Sequence, residues 1–430
     1  MAAPTRISGG RIVRISCVLL FLIATACFLW VRAVANEQWG RMTARIAELE
    51  AERQAVPAAR PVLRGTPEPG NAWGDYAQAL ALVPAMSRNA SFTLYFEDEG
   101  RPLPLAPASL SQMEAWAAPC DAALERLRSG TRRADLHPTI LWEHRFTPLV
   151  LELDKAWAAV WGISHAAVVK AHLLIERGQS DEAVVLLMDL CQFGLDALHG
   201  TDIDGCKMGV EVLYLVSREF RRMLTAKNLS MAALQRLDRE LEMLDRNWPG
   251  GVPTLRNQLL AFGRGCREEG ELGSLMYSSW KPRSYRSWRW GYSARFRTAS
   301  TFLRADLVVR LMILEAEGGS KTDPSLSSWT ALYEWPDPVL GEAFRYYTSA
   351  SPAIAERSTM RVLRTGSRFL ATGEVLDLPD PFGDRLKTQL QDSQLRVWSV
   401  GGDHVDQGGV EPGWTYGRDI VLDVDRRRRP

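Results

Sequence analysis

From Ile15 to Val31 the chain reads "ISCVLLFLIATACFLWV", 17 residues without a charge, and Ile12, Val13, Ala33 and Val34 extend the run past Arg14 and Arg32. A helix rising about 1.5 Å per residue needs roughly 20 residues to cross the hydrocarbon of a bilayer, so this segment spans with its flanking arginines snorkelling. Arg6, Arg11 and Arg14 precede it, which favours a cytoplasmic N-terminus and an exported remainder. Ala33-Val34-Ala35 also fits the small-x-small pattern of a cleaved signal peptide. The apolar run is longer than the usual core of about 7 to 15 residues in such peptides, and on that ground we read it as an anchor. Both readings export the bulk of the chain. The arginines of the first 35 positions contribute +4 to a net charge of +1, which leaves −3 on the rest and no basic field for nucleic acid.

Behind the apolar run, Trp39, Met42, Ile46 and Leu49 recur at alternating steps of three and four. Such a seam can pair two chains as a homodimer above the membrane. Arg53 interrupts it at the next position, which favours a single amphipathic stalk helix. "VPAARPVLRGTPEPG" carries four prolines and two glycines and reads as an extended linker. These signals divide the chain into a cytoplasmic tip and transmembrane anchor (1–35), a juxtamembrane helix (36–56), a Pro-rich linker (57–70), a helical domain (71–300) and a C-terminal α+β tail (301–430).

Within the helical domain, "PLVLELDKAWAAVWGISHAAVVKAHLLIERG" ends at Gly178, and Ser180 is placed to cap the next helix, with Asp181 and Glu182 in its first turn. The two form a hairpin resembling one tetratricopeptide-type unit. Ser230 is placed to cap "MAALQRLDRELEMLDR", and "ASFTLYFEDEGRPLPL" is the one candidate strand pair in this half. The fold class expected is therefore mainly α: a transmembrane helix, a helical-hairpin domain and a small α+β tail with a short antiparallel sheet. Four cysteines lie outside the apolar segment (Cys120, Cys191, Cys206, Cys266). An exported location permits disulfides among them, and buried free thiols are the simpler reading in a chain of this length.

Two stretches carry chemistry. "YSSWKPRSYRSWRWGYSARFR" interleaves aromatics with bases and holds no acid, so Trp280, Arg286, Trp288, Arg289 and Trp290 could lie on anionic lipid or an envelope polymer. A partly buried tryptophan-rich loop is the alternative. "RVWSVGGDHVDQGG" places two glycine pairs around Asp403, His404 and Asp406, which makes either a solvated polar turn or a small cation loop. Calcium takes six to eight oxygens at about 2.3–2.6 Å, and Asp403, Asp406 and Asp419 could supply three. The spacing is not an EF-hand, because the twelfth position from Asp403 is Trp414.

The order Pro324 to Leu326, Asp337-Pro338 with Gly341 and Tyr346, Ser399-x-Gly401-x-Asp403, Gly408-Gly409 and Asp419-Ile420 resembles the C-terminal half of the major pseudopilin of type II secretion systems. It is similar, more closely, to membrane-anchored bacterial proteins that carry such a tail behind a variable helical region. The resemblance implies a tail loop that binds calcium through Asp403 and Asp419, with Ser399 and backbone carbonyls adding oxygens, in a single-pass protein of the bacterial inner membrane. It does not extend to filament building, because the chain has no Gly-Phe processing site. Asp380-Pro381 is a second Asp-Pro turn where the family has one, which makes residues 347–379 an insertion in the small sheet.

No GxSxG, HExxH, P-loop or dinucleotide glycine pattern occurs, and no catalytic residue is assigned. His165 and His172 stand two helical turns apart, too far to share one zinc ion, and read as core or surface histidines. Glu143-His144 and His137 offer acid and base groups with no nucleophile beside them. The expectation is an extracytoplasmic binding or scaffold protein for an unidentified envelope protein or polymer. A hydrolase of envelope polymers acting through carboxylates is the alternative.

Overall fold

The structure is a computed structural model. It describes residues 9–55, 60–84, 107–136, 149–200, 203–226, 229–249, 350–401, 405–409 and 419–427, together with short helical pieces within 256–267 and 299–310. The chain groups into two units, Met1–Ala55 with Leu259–Arg310, and Val56–Gln258 with Leu311–Pro430.

The first unit is built on α1, Gly9–Ala55, a single helix of 47 residues and about 70 Å at 1.5 Å per residue. It is long and apolar enough to span a membrane. Every residue from 16 to 33 is exposed. Beyond that point the helix acquires a buried face, with Ala35, Met42 and Ile46 wholly covered and Leu49 nearly so. The helical pieces of the same unit cover it. A Cβ added at Gly263 would lie 2.5 Å from the Phe302 ring and 2.8 Å from Ile46. Arg45 donates to Asp306 at 2.9 Å and Arg264 to Glu50 at 2.9 Å. Met42, Ile46 and Leu49 of the seam are thus covered by pieces of the same chain, while Trp39 is half-buried; each of the three gains about 1.5–3 kcal/mol from burial.

The second unit holds β1 (Glu68–Asn71), α2 (Ala72–Leu82), α3 (Pro107–Ala117), α4 (Asp121–Thr131), β2 (Arg133–Asp135), α5 (Leu149–Glu176), α6 (Ser180–Gly200), α7 (Ile203–Ala226), α8 (Met231–Arg246), α9 (Ala350–Thr372), β3 (Lys387–Gln391), β4 (Gln394–Ser399) and β5 (Ile420–Asp425). The anticipated strand pair around residues 90–105 falls outside the described residues. β1 and β2 pair in parallel, Glu68 opposite Arg133 and Asn71 opposite Asp135. Asn71 caps α2 by accepting the Trp73 N–H at 3.2 Å.

The proline-rich stretch, read from composition as a linker, is docked from Arg60 onward. Arg60 is 3% exposed, pairs with Asp196 of α6 and donates to the Arg133 and Gly130 carbonyls. Three residues on, Leu63 is buried and its N–H reaches Gln192 at 2.7 Å. Tyr76 of α2 adds its hydroxyl to Asp196 and packs edge-on to Phe193 at 4.9 Å. Prolines here hold the backbone extended along the helices; what anchors it is a buried cation that composition does not reveal.

Trp157–Glu176 of α5 is also long and apolar enough to span a membrane, but most of it is buried in the core of the unit. It turns into α6 at Gly178, whose φ of 75° is the left-handed conformation that lets the Gln179 N–H return to the Leu174 carbonyl at 2.8 Å. Ser230 caps α8 as expected, accepting the Ala233 N–H at 3.1 Å. Ser180 takes a different role from the one its position suggests: its hydroxyl accepts the Ser230 N–H, tying the starts of α6 and α8 together.

The C-terminal sheet has the order β3-β4-β5, antiparallel throughout, with Ser399 opposite Ile420 and Gln394 opposite Asp425. α9, within the stretch anticipated as an insertion, is a helix that packs on β4 and β5; a Cβ at Gly366 would meet Leu422 at 2.5 Å. One apolar cluster runs from Trp73 and Tyr76 through α5–α8 to Leu363, Phe369, Val397 and Leu422, so the sheet and the helices share a core. On the face turned to α8, Arg357 and Arg361 both meet Asp245 at 2.9 Å, Arg364 meets Glu242 at 3.1 Å and Arg368 meets Asp238 at 2.8 Å. Partners recede along α8 as α9 advances, which makes the two helices antiparallel. Cys120, Cys191, Cys206 and Cys266 are all buried free thiols.

Candidate functional site

The end of β4 and the loops beside it gather the carboxylates singled out in the sequence. β4 alternates exposed or half-exposed with buried positions, so Leu395, Val397 and Ser399 face α9. Ser399 is wholly buried. Its hydroxyl lies 2.8 Å from Asp380 Oδ1 and accepts the Gly401 N–H at 3.3 Å. Asp380, 4% exposed, is the centre of this corner. Besides Ser399 it accepts from the Ser358 hydroxyl at 3.1 Å, the Phe382 N–H at 3.1 Å and the Val400 N–H at 3.1 Å. One carboxylate therefore joins α9, the Asp-Pro turn and the end of β4.

Asp406 Oδ1 accepts from the Trp398 indole N–H at 3.0 Å and the Gly408 N–H at 2.9 Å. Those two donors hold the carboxyl below the usual aspartate range. Asp419, immediately before β5, is 0% exposed. Its Oδ2 accepts from Gln407 N–H at 3.1 Å and Gly409 N–H at 2.8 Å, and its own N–H donates to the Gln407 side chain. Gly408 and Gly409 have φ of 72° and 65°, the left-handed turn that brings these N–H groups onto Asp419. Among the described residues, the buried Asp419 Oδ1 has no hydrogen-bond partner.

A calcium ion needs just such an oxygen, and Asp419 and Asp406 on a glycine-shaped loop fit the donor chemistry. The Ser399 hydroxyl is engaged by Asp380 and by the Gly401 N–H. Asp403 and His404 lie outside the described residues. So do Trp280, Arg286, Trp288, Arg289 and Trp290 of the aromatic-basic segment, and His137, Glu143 and His144. Among the described residues no cluster of three metal-ligating side chains forms.

The histidines of α5 are core residues. His165 stacks on Trp161 at 4.7 Å and its Nδ1 lies 2.7 Å from the Trp161 carbonyl; burial pulls it down to about 4, against that hydrogen bond and with help from the Arg218 charge. Arg222 donates to His172 Nδ1 at 2.8 Å, and Glu219 lies beside both. Burial raises the Glu219 carboxyl, and His172 and Arg222 more than reverse that, leaving it below the usual glutamate range.

Among the buried acids that sequence reasoning did not single out are Asp380 and Glu356. Asp380 had a visible signal, its Asp-Pro turn ahead of the Ser399 strand. Glu356 had none, since its significance lies in what packs on it. No family model matches the chain, and no curated protein or solved structure matches it either.

Proposed function

We propose that this chain is a membrane-anchored extracytoplasmic binding or scaffold protein of the bacterial inner membrane, with a C-terminal loop that calcium stabilises. The observation that carries the reading is the change of character along α1. From 16 to 33 it is exposed on all sides and apolar, an arrangement that water penalises and lipid does not, and from Ala35 the same helix has a packed face. The hairpin surfaces of α5–α8, whose α5–α6 turn resembles a tetratricopeptide-type unit, are then the recognition surface for an envelope protein or polymer. Support for the calcium loop is the bare, buried Asp419 Oδ1 beside Asp406.

Anchoring is tested with a reporter fused after Pro430, which reads as extracytoplasmic and stays with the membrane fraction; a cytoplasmic reporter overturns it. The loop is tested by thermal unfolding of the full chain in micelles with calcium or with a chelator. Calcium raises the midpoint, because a ligand bound only by the native state stabilises it, and Asp419→Asn abolishes the increment. Equal midpoints with and without calcium overturn the calcium reading and leave the anchoring intact.

A further inference from the structure

Glu356 stands in the second turn of α9, 2% exposed, where that helix packs on α7. Its one hydrogen bond among those described is to Ser217 of α7, with Oγ 3.1 Å from Oε2. Ser217 Oγ also lies 2.9 Å from the Tyr214 carbonyl. The hydroxyl has one hydrogen and the carbonyl can only accept. Both contacts are satisfied together when Ser217 donates to Tyr214 and accepts from Glu356, which requires a protonated carboxyl.

The surrounding groups agree. α7 contributes a second acid, Glu211. α6 contributes the Cys191 thiol, which burial raises and which is therefore neutral beside it. On its own helix Arg357 and Arg361 are engaged by Asp245. From the sheet, Arg396 pairs with Asp423 and Asp425 accepts from Ser393, while Asp380 is held by hydroxyls and backbone N–H groups.

We propose that Glu356 is stored as the neutral acid in the α7–α9 contact and serves as a pH latch, so that losing its proton loosens α9, and with it the C-terminal sheet, from the helices. Burial, aided by Glu211, raises this carboxyl from 4.5 to about 8; a Ser217 hydroxyl turned to donate to the ionised form works against that rise. For an acid shifted upward, the native state holds the proton that the unfolded chain releases. The latch is therefore closed at acidic pH and is lost progressively as pH rises toward about 8.

The experiment is amide hydrogen exchange of the full chain in micelles, corrected for the intrinsic rate. Between about pH 7 and about pH 9, α9 and β4 amides of the wild type lose about tenfold of their protection, the limit set by linkage for local opening, while Glu356→Gln stays protected. Equal pH dependence in both proteins overturns the latch. Should Glu356→Gln fail to fold, infrared spectroscopy decides in a Glu240→Gln background. A neutral-carboxyl band that persists at about pH 7 and titrates away together with α9 protection supports the proposal, and its absence at that pH overturns it.

Discussion

Replacing Asp380 tests whether one carboxylate holds the C-terminal corner together. In Asp380→Ala, four buried donors lose their acceptor: the Ser358 and Ser399 hydroxyls and the Phe382 and Val400 N–H groups. The hydroxyls can rotate to nearby carbonyls, but the two N–H groups are fixed by the backbone. At about 1–3 kcal/mol for each stranded buried donor, the expected loss is about 4 kcal/mol. Asp380→Asn keeps an acceptor where Oδ1 stood, serving Ser358, Ser399 and Phe382, and turns only the Val400 side into an opposition of two donors. Its cost should be near 2 kcal/mol by the same reckoning. Urea unfolding of the full chain in micelles, followed by far-UV circular dichroism, gives both numbers if the slopes stay equal to wild type. An alanine variant within about 1 kcal/mol of wild type, or an asparagine variant as damaged as alanine, would refute the hub.

Arg60→Met leaves Asp196 buried opposite Tyr76 without its cation, and a loss of about 3–5 kcal/mol is expected in the same unfolding assay, with proteolysis of the 60–71 stretch rising in parallel. Glu240 is raised by burial to about 7, against the pull of Arg64 and Arg236, so its neutral form belongs to the fold and its contribution is present below the ordinary 4.5 and lost as pH passes about 7. Glu240→Gln should accordingly stabilise the chain at about pH 8, by up to about 3 kcal/mol, and leave it unchanged near pH 4, as thermal unfolding at the two pH values would read.

What could be seen in the sequence was what acts locally. The uncharged run of α1 is long and apolar enough to span a membrane, whatever follows it. Gly178 ends α5 and Ser230 caps α8 because each works on its own neighbours, three or four residues away. Ser180 shows where that logic stops, since its oxygen serves a backbone N–H fifty positions later. The docking of residues 60–71 was hidden for the same reason: Pro and Gly composition describes a backbone free to extend, and only the distant Asp196 and Asp189 on α6 show where it is fastened. The seam on α1 had the right period, and its covering by the helical pieces within 259–267 and 299–310 depended on segments that the local pattern cannot join to it. In the loop read as a candidate cation site, Asp406 and Asp419 were placed together by their glycines, whereas the engagement of Ser399 followed from Asp380, on the far side of a hairpin.

α1 passes from its exposed half to its packed half without a proline, and its one glycine in between, Gly40, meets open space. A rod without a joint transmits angle. Once the apolar half is seated in lipid as proposed, any lean forced on it by a thinner or thicker bilayer is handed to Met42, Ile46 and the residues clamped around them. Membrane thickness thereby becomes a mechanical input to the first unit, applied by leverage and without any ligand.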